Sequence, residues 1–170
     1  MLTWDEEELI SKIPPDQIVR VQPYDAAIGS IAGEIIAQVQ ELLPGLEVRF
    51  MGASALEISG QGDIDIYVFS DPTEFNKHEP LLKSRFGEPE TRRYDSISWK
   101  FEKQGHPVEL FLTDPDSLPM QRQIAVYEIL KKDANLREEY QRLKEELSGT
   151  TLREYQTKKY EFYHRLLSSP

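Results

Sequence analysis

Three carboxylates in the middle of this sequence have a spacing that suits metal-assisted chemistry. Asp63 and Asp65 are two residues apart in an alternating apolar segment, and Glu109 lies between Val108 and Leu110 in a later one. Side chains two apart on a strand share a face, so both aspartates point the same way. Like charges on one face repel unless a cation compensates them, and Mg²⁺ takes hard oxygen ligands. The pattern predicts that Asp63, Asp65 and Glu109 bind Mg²⁺ or Mn²⁺, if the two strands pair.

A metal held in this way can clamp a triphosphate and help to activate an attacking hydroxyl. We therefore expect Asp63, Asp65 and Glu109 to be catalytic residues as well as metal ligands. Glu109 is expected to be either the third ligand or the general base.

A short loop and one lysine supply groups that suit phosphate. Gly52 and Ser54 follow a predicted strand that ends at Met51, and backbone amides and a hydroxyl at such a place can cradle phosphate oxygens. Lys100 lies on the polar face of its own predicted strand and can reach a phosphate as a point charge. Gly52, Ser54 and Lys100 are the predicted nucleotide-binding residues.

Simpler interpretations exist for each part of the pattern. Asp63 and Asp65 can form the solvated face of an edge strand, Gly52 and Ser54 can make a plain turn, and Lys100 can be an exposed surface lysine. The combination and its order along the chain favour the metal site. A purely structural acidic domain would instead place the three carboxylates apart.

Hydrophobic periodicity predicts the elements around these residues. Helices are expected at residues 3–11, from residue 25 to Pro44, within 69–87, and at 117–132, 134–148 and 151–167. Strands are expected at residues 47–51, 63–69 and 96–102, with a return strand through Val108, Leu110 and Leu112 after a tight turn at Gln104-Gly105. This order predicts an α+β protein with a mixed β-sheet followed by a helical bundle.

Length and composition limit the possibilities further. The 170 residues suit one domain, residues 1–170, with a sheet-containing part at about 17–115 and a helical part at about 116–168. The absence of cysteine excludes disulfides and thiolate zinc sites. A net charge of −10 argues against broad nucleic-acid binding. The acidic N-terminus is unlike a signal peptide and the apolar runs are short, so we expect a cytoplasmic protein without a membrane segment. The oligomeric state cannot be read from the sequence.

Further short motifs accompany the carboxylates. They are Pro23-Tyr24, Gly52-Ala53-Ser54, Asp63-Ile64-Asp65-Ile66, Leu136-Arg137-Glu138-Glu139-Tyr140, Leu143-Lys144, and Tyr155 with Lys159 and Phe162. Their order resembles the polymerase-β type of nucleotidyltransferase, and more closely the GrpB family within that superfamily, over residues 19–167.

This resemblance implies a nucleotidyltransferase-type mixed sheet with flanking helices and a C-terminal helical bundle. It also implies transfer of a nucleotidyl group from a nucleoside triphosphate to a small-molecule acceptor. Lys144 and Lys159 match the family pattern and are predicted to bind substrate on the acceptor side, the alternative being solvated surface lysines. Tyr140, Tyr155 and Phe162 are expected in the core of the bundle.

The sequence departs from the family pattern at two places. The loop lacks the usual Gly-Ser-Thr and the proline after it, and Tyr127-Glu128 and Leu130-Lys131 stand where the family has arginines. The alternative function is therefore a catalytically degenerate module that binds a nucleotide or a partner. The three histidines, His78, His106 and His164, show no ligand spacing and are expected at the surface.

Overall fold

A computed structural model describes residues 1–168. Its α-helices are α1 (Trp4–Ser11), α2 (Ile28–Leu42), α3 (Phe75–Phe86), α4 (Leu118–Lys132), α5 (Ala134–Glu146) and α6 (Leu152–Ser168). Its strands are β1 (Val48–Met51), β2 (Ile64–Phe69), β3 (Thr91–Arg92), β4 (Ser96–Lys103) and β5 (His106–Thr113), and a short 3₁₀ helix at Pro72–Glu74 precedes α3. The α+β class predicted from the sequence is confirmed.

The strands form one mixed sheet in the order β1-β2-β5-β4-β3. Strands β2 and β5 are parallel, whereas the other neighbouring strands are antiparallel. The chain reaches β5 through the predicted tight turn, where Gln104 and Gly105 both have positive φ angles, 51° and 81°. Two successive positive φ angles match the twist of a two-residue hairpin, which brings β5 back along β4 and beside β2.

One face of the sheet, which we call the core face, is apolar. Ile64, Ile66 and Val68 of β2 share it with Leu110 of β5 and with Trp99 of β4, and these residues pack against α2 and α3 in one buried cluster. The indole N–H of Trp99 donates to the carbonyl of Gly87 at 2.9 Å, so the end of α3 is fixed to the sheet.

The opposite face, which we call the site face, carries the alternate residues of the same strands. Helices α4, α5 and α6 pack together over it around a second apolar cluster that includes Leu130, Tyr140 and Phe162. Met120 of α4 contacts Tyr67 of the site face in a third cluster. Tyr140, Phe162 and also Tyr155 are buried, as the sequence predicts.

The N-terminal helix begins as its sequence indicates. Thr3 accepts the N–H of Glu6, and the Glu6 carboxylate accepts the N–H of Thr3 at 2.8 Å, which forms a capping box. Helix α2 begins later than expected because Asp25 instead accepts the N–H of Ala27 in a turn that precedes the helix. Across residues 1–168, no helix combines the length and apolar character that spanning a membrane requires.

Candidate active site

The pairing of β2 with β5 brings two of the predicted carboxylates together. Asp65 lies directly opposite Glu109, between the pairs Ile64 with Val108 and Ile66 with Leu110. Because side chains on paired strands alternate in step, both carboxylates lie on the site face. Asp63 comes one residue before β2. The expected neighbourhood of Asp65 and Glu109 is therefore observed, while their role toward a metal stays a prediction.

The loop after β1 lies against Asp65. Gly52 has a φ of +90°, and a Cβ placed on it would stand 2.8 Å from Oδ2 of Asp65. A side chain at this position would meet both backbone strain and the carboxylate. Glycine is thus required for the close approach of the loop to Asp65, in addition to any contact that its N–H makes with phosphate.

Ser54 is buried and its hydroxyl already has a partner. It donates to the backbone carbonyl of Asp63 at 2.6 Å. The residues after it form a tight turn, in which the N–H of Leu56 points at the carbonyl of Gly52 at 3.1 Å. Ser54 therefore joins the loop to the start of β2 and helps to position Asp63, and its predicted contact with phosphate stays a prediction.

Burial and mutual repulsion govern the ionisation of the carboxylates. Burial raises the pKa of Asp65 well above its usual range, and the charges of Asp63 and Glu109 raise it further. Lys159 and Lys144 act in the opposite direction. Burial also raises the pKa of Glu109, although the nearby Lys100 lowers it. Asp65 and Glu109 therefore offer oxygen ligands at a place where additional positive charge would stabilise their ionised forms.

Lys144 of α5 reaches toward the same loop. Its side chain is buried and ends close to Gly60. A Cβ placed on Gly60 would stand only 3.1 Å from Nζ of Lys144 and 3.0 Å from Cβ of Ala53. Nζ of Lys144 also lies 5.1 Å from the centre of the Tyr140 ring. Burial and the positive charge of Lys159 lower the pKa of Lys144 to about 7 against the pull of Asp63 and Asp65.

Lys159 of α6 is the second cation on the helical side. Its Nζ lies 5.6 Å from the ring centre of Tyr163 and 6.0 Å from that of Tyr160. Burial opposes its ionisation, but Tyr163, the other tyrosines around it and Asp65 raise its pKa. Within residues 1–168, neither Lys144 nor Lys159 forms an ion pair or a hydrogen bond. The solvated alternative is wrong for Lys144, which is 4% exposed, whereas Lys159 is half-buried.

Lys100 of β4 approaches the site from the strand side. It lies directly opposite Glu109, with its Nζ 3.8 Å from Oε1 of Glu109 and 3.3 Å from Oε2 of Glu90. Its side chain stays 55% exposed. Lys100 therefore contacts carboxylates in this structure, and its predicted contact with a nucleotide stays a prediction.

The carboxylates suit a divalent cation chemically but do not yet converge on one. Their oxygens are the donors that Mg²⁺ and Mn²⁺ prefer. Across residues 1–168, however, no group of three or more acidic or histidine side chains is arranged so that it can hold a metal ion. The structure thus joins Asp65 with Glu109 without assembling all three predicted ligands around one point.

A small cavity lies on the helical side of the loop that follows β1. The cavity between the loop and the helices, lined in part by Gly52, Tyr127, Tyr140 and Tyr163, has a volume of about 20 Å³. A bound small molecule usually occupies several hundred Å³. A more open groove runs along α3 at residues such as Glu79 and Lys83, but α3 covers the core face, away from the carboxylates.

Two residues beside the segment that leads to Asp63 were missed from the sequence. His106 contacts the carbonyl of Gly62 at 3.2 Å through Nδ1 and Asp25 at 3.2 Å through Nε2, and its side chain is only 17% exposed. The expectation of a surface histidine is wrong here, because the β4–β5 hairpin ends against the loop that leads to Asp63. The position of Asp25 in the Pro23-Tyr24-Asp25 motif was the available signal.

The family assignment rests on nearly the whole chain. Residues 18–169 match the GrpB protein family, and the chain belongs to that family. The predicted GrpB membership is thereby confirmed.

The solved structures that match this chain have low sequence identity to it. Cid1 poly(U) polymerase with MgGTP bound is 14% identical, with a TM-score of 0.48 over 78% of this chain and 43% of that chain. A cytoplasmic RNA terminal U-transferase is 15% identical, with a TM-score of 0.45 over 78% of this chain and 42% of that chain. This chain spans less than half the length of either. A comparison with curated proteins found no match.

Proposed function

We propose that this GrpB protein is a metal-dependent nucleotidyltransferase of the polymerase-β type, which moves a nucleotidyl group from a nucleoside triphosphate to a small acceptor. The observation that supports this most is the pairing of Asp65 with Glu109 across parallel strands, with Gly52 held against the Asp65 carboxylate. Carboxylates beside a glycine loop suit a reaction in which positioning and charge stabilisation supply most of the catalysis.

Asp63, Asp65 and Glu109 are the residues that would hold Mg²⁺ or Mn²⁺. A bound ion would supply positive charge at the phosphates and would favour the ionised form of Asp65, whose pKa is raised by burial and by the neighbouring carboxylates. Ser54 keeps Asp63 in place through its backbone carbonyl.

The reaction is an in-line displacement at the α-phosphorus. An acceptor oxygen forms a new bond to the α-phosphorus, the bond from that phosphorus to the bridging oxygen breaks, and pyrophosphate leaves. Glu109 serves either as the third ligand or as the general base; in the second role it would accept the proton of the acceptor hydroxyl, and burial, which raises its pKa, would make it a better base than an ordinary glutamate.

Lys144 and Lys159 are proposed to bind the negative charge of the substrates on the helical side of the site. Neither side chain forms an ion pair in the described residues, so an anionic group can join them without displacing a carboxylate, and its charge would also favour the protonated form of Lys144, whose pKa burial lowers to about 7. Lys100 contributes a further positive charge from the strand side.

A second candidate is a nucleotide-binding module without turnover. The incomplete convergence of the carboxylates in residues 1–168 favours it, because catalysis requires more exact positioning than binding does.

One assay separates the two candidates. Pyrophosphate release is measured with each nucleoside triphosphate, Mg²⁺ and a pool of small hydroxyl and amine acceptors. The wild type is compared with Asp63→Ala and Asp65→Asn, and with Glu88→Gln as a charge-matched change at an exposed position after α3. Thermal shift on the same samples reports binding.

The enzyme proposal expects release by the wild type and by Glu88→Gln, and none by the two aspartate variants. Mg²⁺-dependent binding of a triphosphate with no release supports the binding module. The absence of both binding and pyrophosphate release would exclude a nucleotide function.

A further inference from the structure

Lys100 is placed where a cation would neutralise the third predicted ligand. Its Cα is paired with that of Glu109 across β4 and β5, and its ammonium lies 3.8 Å from the Glu109 carboxylate. The Glu109 side chain is 31% exposed, so the contact lies at the mouth of the site and not in its interior. Glu90 holds the same ammonium from the other side at 3.3 Å.

Lysine side chains approach the carboxylates from both sides. Lys144 and Lys159 act on Asp65 from the helical side, while Lys100 acts on Glu109 from the strand side. Three lysines thus stand around three carboxylates, and in residues 1–168 no three carboxylates converge closely enough for a metal ion. An ammonium bound to one carboxylate is a physical reason for that carboxylate not to join the others.

We infer that Lys100 competes with the divalent cation for Glu109. Its ammonium contacts the Glu109 carboxylate until the metal binds there, and then stays in contact with Glu90 alone. This inference rests on the proposed function, because it concerns the metal of that site. The exchange costs little, since Lys100 is exposed and its second partner is already in contact. Lys100 is therefore a positioning residue that sets how tightly the metal binds.

The inference makes a definite prediction for metal affinity. Neutralising Lys100 removes the competitor, so Lys100→Gln is expected to bind Mn²⁺ roughly two- to fivefold more tightly than the wild type, the range that suits an exposed ion pair. Lys100→Arg retains the charge and is expected to keep the wild-type affinity. This increase in Mn²⁺ affinity must depend on Glu109, because Lys100 contacts that carboxylate.

Calorimetric titration of the full chain with Mn²⁺ tests this in a double-mutant cycle. The cycle contains the wild type, Lys100→Gln, Glu109→Gln and the double variant. Lys77→Gln is the control, because Lys77 is an exposed lysine of α3 paired with Glu74 and its loss changes the net charge by the same amount. Mn²⁺ binding is read directly, without reference to activity.

Tighter binding by Lys100→Gln that disappears in the Glu109→Gln background supports the inference. An unchanged affinity, a gain equal to that of Lys77→Gln, or a gain that persists without Glu109 would overturn it and leave the proposed nucleotidyl transfer standing. Absence of Mn²⁺ binding in every variant would overturn both the inference and the metal dependence of the proposed function.

Discussion

The core face and the site face of the sheet are built from the same strands but contribute opposite properties. Ile64, Ile66 and Leu110 are completely buried on the core face. Asp65 and Glu109, their immediate neighbours in sequence, face the other way and have raised pKa values because burial and, for Asp65, like charges disfavour ionisation. Residues one position apart therefore differ in whether they stabilise the fold.

This difference indicates where the molecule tolerates unfavourable interactions. Apolar burial on the core face provides the driving force for folding. The site face retains carboxylates whose ionisation is disfavoured by burial, as expected of a functional site. Substitutions on the two faces should consequently have opposite or unequal effects.

The largest expected effect contrasts two adjacent residues of β5. Leu110→Ala removes a fully buried side chain and is expected to lower the free energy of unfolding by about 2–5 kcal/mol. Glu109→Gln, one residue earlier on the site face, is expected to change it by less than about 1 kcal/mol. Urea unfolding followed by circular dichroism measures both. Similar losses in the two variants would mean that the faces do not differ as described.

The second prediction concerns pH and the buried lysine of the site face. Because the pKa of Lys144 is lowered to about 7 in the folded protein, the unfolded chain binds a proton that the folded chain lacks at higher pH. Stability from this group should therefore rise with pH above about 7, by up to about 1.4 kcal/mol per pH unit. Urea unfolding at a series of alkaline pH values should show that Lys144→Met removes this rise.

Lys77→Met is the matched control for that measurement, since the Lys77 side chain is 67% exposed on α3. It should follow the wild-type pH dependence. If Lys144→Met follows it too, the lysine of the site face is not held in its uncharged form by burial.

The smallest expected effect compares two glycines. Gly52→Ala places a side chain at a φ of +90° and against Asp65, so it should lower the free energy of unfolding by about 1–2 kcal/mol and weaken Mn²⁺ binding. Gly33→Ala lies in α2 with open space around its Cβ and should stabilise the protein by about 0.4–1 kcal/mol. Thermal unfolding and Mn²⁺ titration separate the two. Unchanged metal binding in Gly52→Ala would show that the loop can move away from Asp65.

Much of the sheet was predictable because strands alternate strictly. The alternation around Ile64, Asp65 and Ile66 and around Val108, Glu109 and Leu110 placed both carboxylates opposite the core, and the parallel pairing joins them. The Gln104-Gly105 turn was predictable for a similar local reason, since few residue pairs adopt two positive φ angles.

The helical side of the site was less predictable. Lys144 and Lys159 lie on helices rich in charged residues, where a solvated position is the ordinary expectation. Whether such a lysine is buried depends on which helix face meets the sheet, and this is decided by contacts between α4, α5 and α6. The partner of Ser54 was unpredictable because no local pattern fixes the path of the loop between Ser54 and Asp63. The pairing of Lys100 with Glu109 follows from the turn at Gln104-Gly105, whereas the contact of Lys100 with Glu90 does not.

The sequence by itself determined the α+β class, the family and the strand alternation that places Asp65 and Glu109 on one face. Each of these depends on periodicity or on short motifs within the chain. Only the tertiary structure decided that Lys144 lies buried over that face with the half-buried Lys159 near it, that the Ser54 hydroxyl donates to the backbone of Asp63, and that Lys100 also contacts Glu90. These contacts join residues from separate elements, and their energies depend on distance and burial, which arise when the elements pack.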